Sequence, residues 1–142
     1  MSRHATRESA FPRLLDALAA WFATHADHAF HIGVSGRFAY HEALRGWPMP
    51  YAVLDVPVVS PRDTLTERID FVSLQIMAYA ATKKEAAILA SHALSLFEGQ
   101  PMSGSGLKDF ELSRGEDITP MKTPDGSWQA GVQLSGFVET DM

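Results

Sequence analysis

The chain contains no cysteine among its 142 residues, so it has neither disulfide bonds nor a cysteine-based metal site. It also has no apolar run near the roughly 20 residues that a membrane-spanning helix needs. The first ten residues are polar and lack the hydrophobic stretch of a signal peptide. These absences predict a protein that stays in the cytoplasm where it is made and does not contact a membrane.

Positive charge is also scarce. The chain has 12 Lys and Arg residues against 17 Asp and Glu residues, which gives a formal net charge of −5. General nucleic-acid binders usually carry a basic patch, so this balance does not favour that class. The net charge is compatible with a protein that lines a passage for DNA without binding the DNA tightly.

The most organised stretch of the sequence is residues 68–99. Residues 69–79 are rich in β-branched and aromatic side chains and contain no Gly or Pro, which predicts a strand. Val72, Leu74, Ile76 and Ala78 recur at period two, and the other face is half apolar. A strand that is apolar on one side and half apolar on the other suits the centre of a sheet.

A helix is predicted directly after this strand. Thr82 stands three residues before Glu85, which is the spacing of a capping box at a helix start. Gly99 ends the helical pattern. Its apolar stripe consists of Ala86, Leu89, Ala90, Ala93 and Phe97.

Helical spacing also predicts a helix near the N-terminus, before the strand and helix of residues 68–99. The predicted helix is capped by Ser9 and runs to about residue 26. Its buried face consists of Phe11, Leu14, Leu15, Leu18 and Phe22. Residues 29–36 are predicted as a turn region. Strands are predicted at 37–41 and 51–59. In the second, Ala52, Leu54, Val56 and Val58 share a face, and Pro57 marks an edge or a bulge.

After the helix, residues 100–106 are predicted as a flexible loop and residues 107–113 as a strand. A Pro-Asp-Gly turn at 123–127 precedes a last strand at 128–139, with a bulge at Gly136 where Phe137 breaks the alternation. The order α-β-β-β-α-β-β predicts one α+β domain over residues 1–142, with residues 1–8 as an arm. Its sheet is antiparallel or mixed, has four to five strands, and carries two main helices.

His25, His28 and His31 are the one cluster with a spacing that could suggest a metal site. Two of them lie one helical turn apart, but no further ligands accompany them. The alternative is a helix C-terminus, where partly cationic side chains suit the helix dipole. We predict the second arrangement, with no metal and no cofactor.

Catalytic motifs are not evident. Gly104-Ser105-Gly106 is neither a phosphate-binding loop nor a nucleophile elbow, because it lacks a following Gly-Lys-Ser/Thr and the two-residue glycine offsets. Ser, His and Asp residues are present, but nothing in the sequence places them together. We therefore predict no catalytic residues.

A mixed-sign charged segment and one tryptophan are the candidates for contacts with other chains. The segment lies at and just after the predicted connection between two strands, which predicts either a solvated hairpin tip or a subunit contact with a charge-fixed register. Its members are Arg62, Asp63, Glu67, Arg68 and Asp70. Trp47, beside two prolines, suits either sheet packing or an interface anchor.

The whole pattern resembles the tail terminator, or tail-completion, proteins of long-tailed phages and gene transfer agents. The matching features begin with the LLDALAAWF helix, the Gly36-Arg37-Phe38 step and the strand start Pro50-Tyr51-Ala-Val-Leu. They continue with DFVSLQIMAYA, KKEAAILASHALSLFEG, the Pro-Asp-Gly turn and WQAGVQLSGFVE, and together they extend over residues 12–139.

This resemblance implies a structural virion protein without catalytic residues or cofactor. It implies a hexameric ring at the head-proximal end of the tail, assembled in the host cytoplasm, that stops polymerisation of the major tail tube protein. The ring would present a surface to a head-connector or neck protein, and DNA would pass through it without sequence-specific binding. Two alternatives are a head-closure or neck adaptor ring and a small α+β enzyme without a recognisable motif.

Overall fold

A five-stranded mixed sheet lies at the centre of the molecule. The computed structural model describes residues 10–41, 46–64, 68–104 and 106–140. The elements are α1 (Phe11–Thr24), α2 (Ala29–Gly33), β1 (Phe38–Tyr40), β2 (Tyr51–Pro61), β3 (Ile69–Ala80), α3 (Lys83–Phe97), β4 (Met102–Gly104), β5 (Leu107–Phe110), β6 (Ser113–Lys122) and β7 (Trp128–Glu139). The sheet order is β1-β2-β3-β7-β6, and β4 pairs with β5 separately. The predicted α+β class is confirmed.

The strand β3 occupies the centre of the sheet, as its two-sided apolar pattern predicted. It pairs antiparallel with β2 on one side and with β7 on the other. Val72, Leu74, Ile76 and Ala78 point to the inner face and are almost fully buried. Each large aliphatic side chain buried in this way contributes about 1.5–3 kcal/mol of transfer free energy.

The helix α3 begins and packs as predicted. The Thr82 hydroxyl accepts a hydrogen bond from the Glu85 amide at 3.2 Å, so the predicted N-cap is confirmed. All five residues of the predicted stripe are buried, and they share one hydrophobic core with the inner face of the sheet. Among the described helices, none combines the length and apolar character that a membrane crossing requires.

The helix α1 starts against the central strand. The predicted cap, Ser9, lies outside the described residues, and the residue at the N-cap position is Ala10. The Ala10 amide donates to the carboxylate of Asp70 at 2.8 Å, and Asp70 is only 4% exposed. A carboxylate at a helix N-terminus satisfies an orphan donor and complements the helix dipole. The cap of α1 is therefore supplied by β3.

The segment 29–36, predicted as a turn region, contains the short helix α2. It forms because the His28 ring accepts a hydrogen bond from the Phe30 amide at 3.0 Å, and because Phe30 is fully buried. Gly36 has a positive φ of 74°, which glycine adopts without strain. Gly33 is helical, and a Cβ there would lie 2.5 Å from a Leu89 methyl carbon, so glycine lets α2 approach α3.

The β2 strand has the irregularity that Pro57 indicated. Its register to β3 shifts between Asp55 and Val58, so Pro57 sits in a bulge. The prediction that Val58 shares the inner face is wrong, because the extra residue reverses the alternation and leaves Val58 44% exposed. The strand β1 pairs parallel to β2, which makes the sheet mixed.

The C-terminal half differs most from prediction. The predicted loop 100–106 contains β4, whose Met102 is buried, and the polar strand β6 was not predicted at all. The predicted bulge at Gly136 is wrong, because β7 pairs with β3 in unbroken register. Phe137 simply points outward. A Cβ on Gly136 would lie 2.7 Å from the carbonyl oxygen of Glu111, so glycine lets that segment cross β7.

The cap of α1 gives a first prediction. Asp70→Ala should lower the free energy of unfolding by about 1–2 kcal/mol, because a buried amide loses its acceptor. Urea denaturation measures this loss. The exposed Asp109→Ala serves as control and should stay within about 0.5 kcal/mol of the parent. Equal stability of the two variants would contradict the capping role.

The cap of α2 gives a pH-dependent prediction. Burial lowers the pKa of His28 below its ordinary value of 6.5, and His92 and His25 lower it further. Just below pH 6.5, His28 is therefore protonated to a greater extent in the unfolded chain than in the folded chain. Stability from His28 is present above that pH and is lost as the pH falls.

His28→Asn keeps a capping oxygen and removes the titration. Between about pH 7.5 and pH 5.5, the melting temperature of the parent should fall further than that of His28→Asn. His28→Ala should be about 1 kcal/mol less stable than His28→Asn at both pH values, because it has no capping atom. Parallel melting curves for the parent and His28→Asn would disprove the assignment.

Candidate functional site

The three histidines of the predicted cluster have separate structural roles. The Nδ1 atom of His25 lies 2.7 Å from the Trp21 carbonyl oxygen at the end of α1. His31, in the last turn of α2, stacks on Phe22 with ring centroids 4.3 Å apart. The helix-end interpretation is wrong for His28, which caps the N-terminus of α2. Within the described residues no three His, Asp or Glu side chains converge as a metal site.

The predicted contact segments lie at opposite ends of the sheet. The first end, which we call the hairpin end, comprises residues 61–64, 68–69, 104, 106–108 and 139–140. The Thr140 amide donates to the Arg68 carbonyl at 3.1 Å, and Leu107 pairs with Thr140, so these segments are adjacent. The connection between β2 and β3 therefore lies beside the turn between β4 and β5.

The second end, which we call the turn end, comprises residues 47–51, 79–82 and 123–128. Tyr51 pairs with Tyr79, and their rings stack with centroids 5.0 Å apart. The half-buried Trp47 lies 6.2 Å from the Tyr51 ring. Burial and, secondarily, Asp125 of the 123–127 turn raise the pKa of Tyr51. Trp47 is thus separated from the charged segment by the length of the sheet.

Within the charged segment, the residues differ in exposure. Asp63 accepts a hydrogen bond from the Ile69 amide at 3.0 Å and pairs with Arg68 at 3.5 Å. The Arg68 side chain is only 20% exposed, so this pair holds the connection together. Arg62 is exposed, donates to Ser60 at 2.6 Å and lies 5.9 Å from the Phe71 ring centre. Glu67 lies outside the described residues. The prediction of a solvated or contact role is wrong for Asp70, because its carboxylate is buried against the start of α1.

A further ion pair at the hairpin end was not predicted. The Lys108 ammonium lies 2.5 Å from the Glu139 carboxylate and joins β5 to the end of β7. The two residues are 31 positions apart, and neither is distinguished by its neighbours in the sequence. Only the sheet topology brings them together, so no local signal could have identified them.

The turn end carries a fixed negative charge. The Asp125 carboxylate accepts hydrogen bonds from the Thr123 hydroxyl and from the Ser127 amide and hydroxyl, which lowers its pKa to about 2. The charge of Asp125 is therefore retained at any ordinary pH. The hairpin end instead exposes the cation of Arg62, so the two ends differ in chemistry.

Neither end brings together a nucleophile, a base and a group that could stabilise an oxyanion. Both present hydrogen-bonded loops and aromatic or charged side chains on a rigid sheet, an arrangement suited to protein contacts. The described residues of both ends thus present surfaces suited to contacts with other proteins.

The comparisons with known proteins agree with this picture. A family model described as "Tail completion protein gp17" matches residues 16–133. A search of curated proteins gives no match.

Among solved structures, a chain of the virion of a native gene transfer agent particle has a similar fold. It superposes with a TM-score of 0.68 at 16% sequence identity, and the match covers 88% of this chain and 96% of that chain. At this identity the likeness concerns the fold. The family match extends over most of the sequence. The chain therefore belongs to the tail completion protein family, and it is a structural component of a virion tail rather than an enzyme.

Proposed function

We propose that the chain forms a ring, most simply a hexamer, at the head-proximal end of the tail tube of a phage or gene transfer agent. The ring ends polymerisation of the tube protein and offers a second surface to a head-connector protein. In this proposal each copy acts as one domain over residues 1–142, and DNA passes through the ring without sequence-specific contacts.

The observation that carries the proposal is the presence of two chemically different ends on one rigid sheet. A terminator needs one surface that binds the tube and another that does not accept a further tube subunit. The exposed Arg62 at the hairpin end and the ionised Asp125 at the turn end supply such a difference. Unlike charges at the two ends make contacts directional and sensitive to salt.

Removing the gene from a producer tests the function as a whole. We expect tails longer than normal and heads that are not joined to them, both visible by electron microscopy. Tails of normal length that fail to join heads would favour the neck adaptor alternative. A single asymmetric copy in a reconstruction of the assembled tail would contradict the ring.

A charge reversal tests the hairpin end separately. Arg62→Glu should leave the protein folded, because exposed substitutions usually change stability by about 0.5 kcal/mol or less. It should nevertheless impair assembly, because the exposed cation is replaced by an anion. Overlong tails would assign the hairpin end to the tube, and tails of normal length without heads would assign it to the head connector.

One variant controls this experiment. Arg62→Lys keeps the charge and should give normal particles. Normal, fully joined tails with Arg62→Glu would remove Arg62 from the mechanism.

A further inference from the structure

The sheet has two edges that no other described strand pairs with, formed by β1 and β6. In the β1 region, the Arg37 carbonyl accepts a hydrogen bond from the Ala52 amide, and the His41 amide donates a hydrogen bond to the Leu54 carbonyl. Alternate residues of a strand direct their backbone groups to the same side. The amide and carbonyl of Tyr40 therefore point away from β2, toward the open edge.

The two edge strands run in opposite directions. The strand β1 is parallel to β2, and each further step from β2 to β3, β7 and β6 is antiparallel. The strands of a twisted sheet are not all parallel to one axis, but a rotation axis that runs roughly along them leaves the up or down sense of every strand unchanged. A second copy placed beside the first around such an axis would set its β6 antiparallel to β1, which is a regular sheet pairing.

The register also brings matching residues to the same level. A row of paired residues crosses the sheet from one edge to the other. It begins at Ala39 in β1, passes through Val53, Met77 and Gly131 in the next three strands, and ends at Ile118 in β6. A neighbouring copy that pairs with β1 at this same level along the strands places its Ile118 opposite Ala39, on the same face of the sheet.

The helix layer leaves an open groove beside each edge. A groove of about 350 Å³ lies between α1 and β1 and is lined by Leu15, Ala19 and Tyr40. A second groove, of about 280 Å³, lies between α3 and β6 and is lined by Ala87 and Ser91. Side-by-side copies would join the two grooves and bring α1 of one copy next to α3 of the other. Ala19, Ala87 and Ser91 are small, which permits a close approach of the helices.

We propose that neighbouring copies in the ring join edge to edge, with β1 of one copy paired to β6 of the next and α1 packed beside α3. This inference rests on the proposed ring and assigns its lateral interface. The contact uses different surfaces on the two copies, which is the type of interface that generates closed rings. It leaves the hairpin end and the turn end free for the tube and the head connector.

Both edges also carry features that disfavour uncontrolled extension of the sheet. The strand β1 has only three residues, and β6 carries charged residues, Pro120 and two register shifts. Such features limit indiscriminate pairing of edge strands. The backbone junction between copies is accordingly short, and the joined grooves supply the apolar part of the contact.

Disulfide trapping tests the interface directly, because the chain has no cysteine of its own. Ala39→Cys and Ile118→Cys are introduced together in the gene of a producer, and purified particles are oxidised mildly. Within one copy the two sites are separated by four strand spacings, roughly 19 Å, so they cannot bond to each other. We expect a ladder of covalent multimers that ends at the ring number.

Matched variants make the result specific. Each single cysteine should give no ladder beyond a dimer. Ile88→Cys with Phe137→Cys places thiols at sites that are 44% and 60% exposed on α3 and on the outer face of the sheet, and this pair should give no ladder. Tyr40→Cys with Asp117→Cys, which also share a level, is a second edge pair in case the first impairs folding.

The outcomes separate this interface from the proposed function. Particles that contain the ring but yield no ladder with either edge pair would overturn the edge contact and leave the ring intact. A ladder from the control pair would overturn it as well. A cross-link from an edge cysteine to the tube protein would assign that edge to the tube. Particles in which the protein forms no ring would overturn the proposed function itself.

Discussion

The position of β3 determines the rest of the structure. The side chains on its inner face form part of the hydrophobic core. Its pairing with β7 is continuous, so it fixes the register of the last strand. It also contributes Asp70, the buried carboxylate that holds the start of α1. One strand thus sets the register of the sheet and the attachment of a helix. A carboxylate with 4% exposure is tolerated there because it is hydrogen-bonded to a helix N-terminus.

Local signals were sufficient for the elements that bury a regular face. The alternation in β3, the cap at Thr82 and the stripe of α3 all depend on residues a few positions apart, and all were predicted. The strand β6 has no such signal, because an exposed edge strand with Gly115, Pro120 and several charges has no apolar face. The Asp70 cap joins residues 60 positions apart, so its partner is defined only by the tertiary structure.

For the candidate contact residues too, some properties could be predicted from the sequence and others depend on the tertiary structure. The sequence could identify Arg62, Asp63, Arg68 and Trp47 as unusual, but not that Trp47 lies at the opposite end of the sheet from the other three. It also could not separate the exposed Arg62 from the half-buried Arg68, whose pairing with Asp63 is structural. Exposure and relative position depend on the fold, and they decide which charge can reach a partner.

A terminator must be stable as a single copy and yet join its neighbours only in the right place. In this chain the two requirements use different parts of the sheet. The central strands are long, continuous and buried on one face, so their pairing does not depend on a partner. The edge strands are short or irregular, so pairing between free copies gains few hydrogen bonds. If the tube end holds several copies side by side, each junction becomes effectively intramolecular, and weak edges then suffice to close a ring. Under the proposed function, this difference in strength between the centre and the edges of the sheet would confine ring formation to a finished tube.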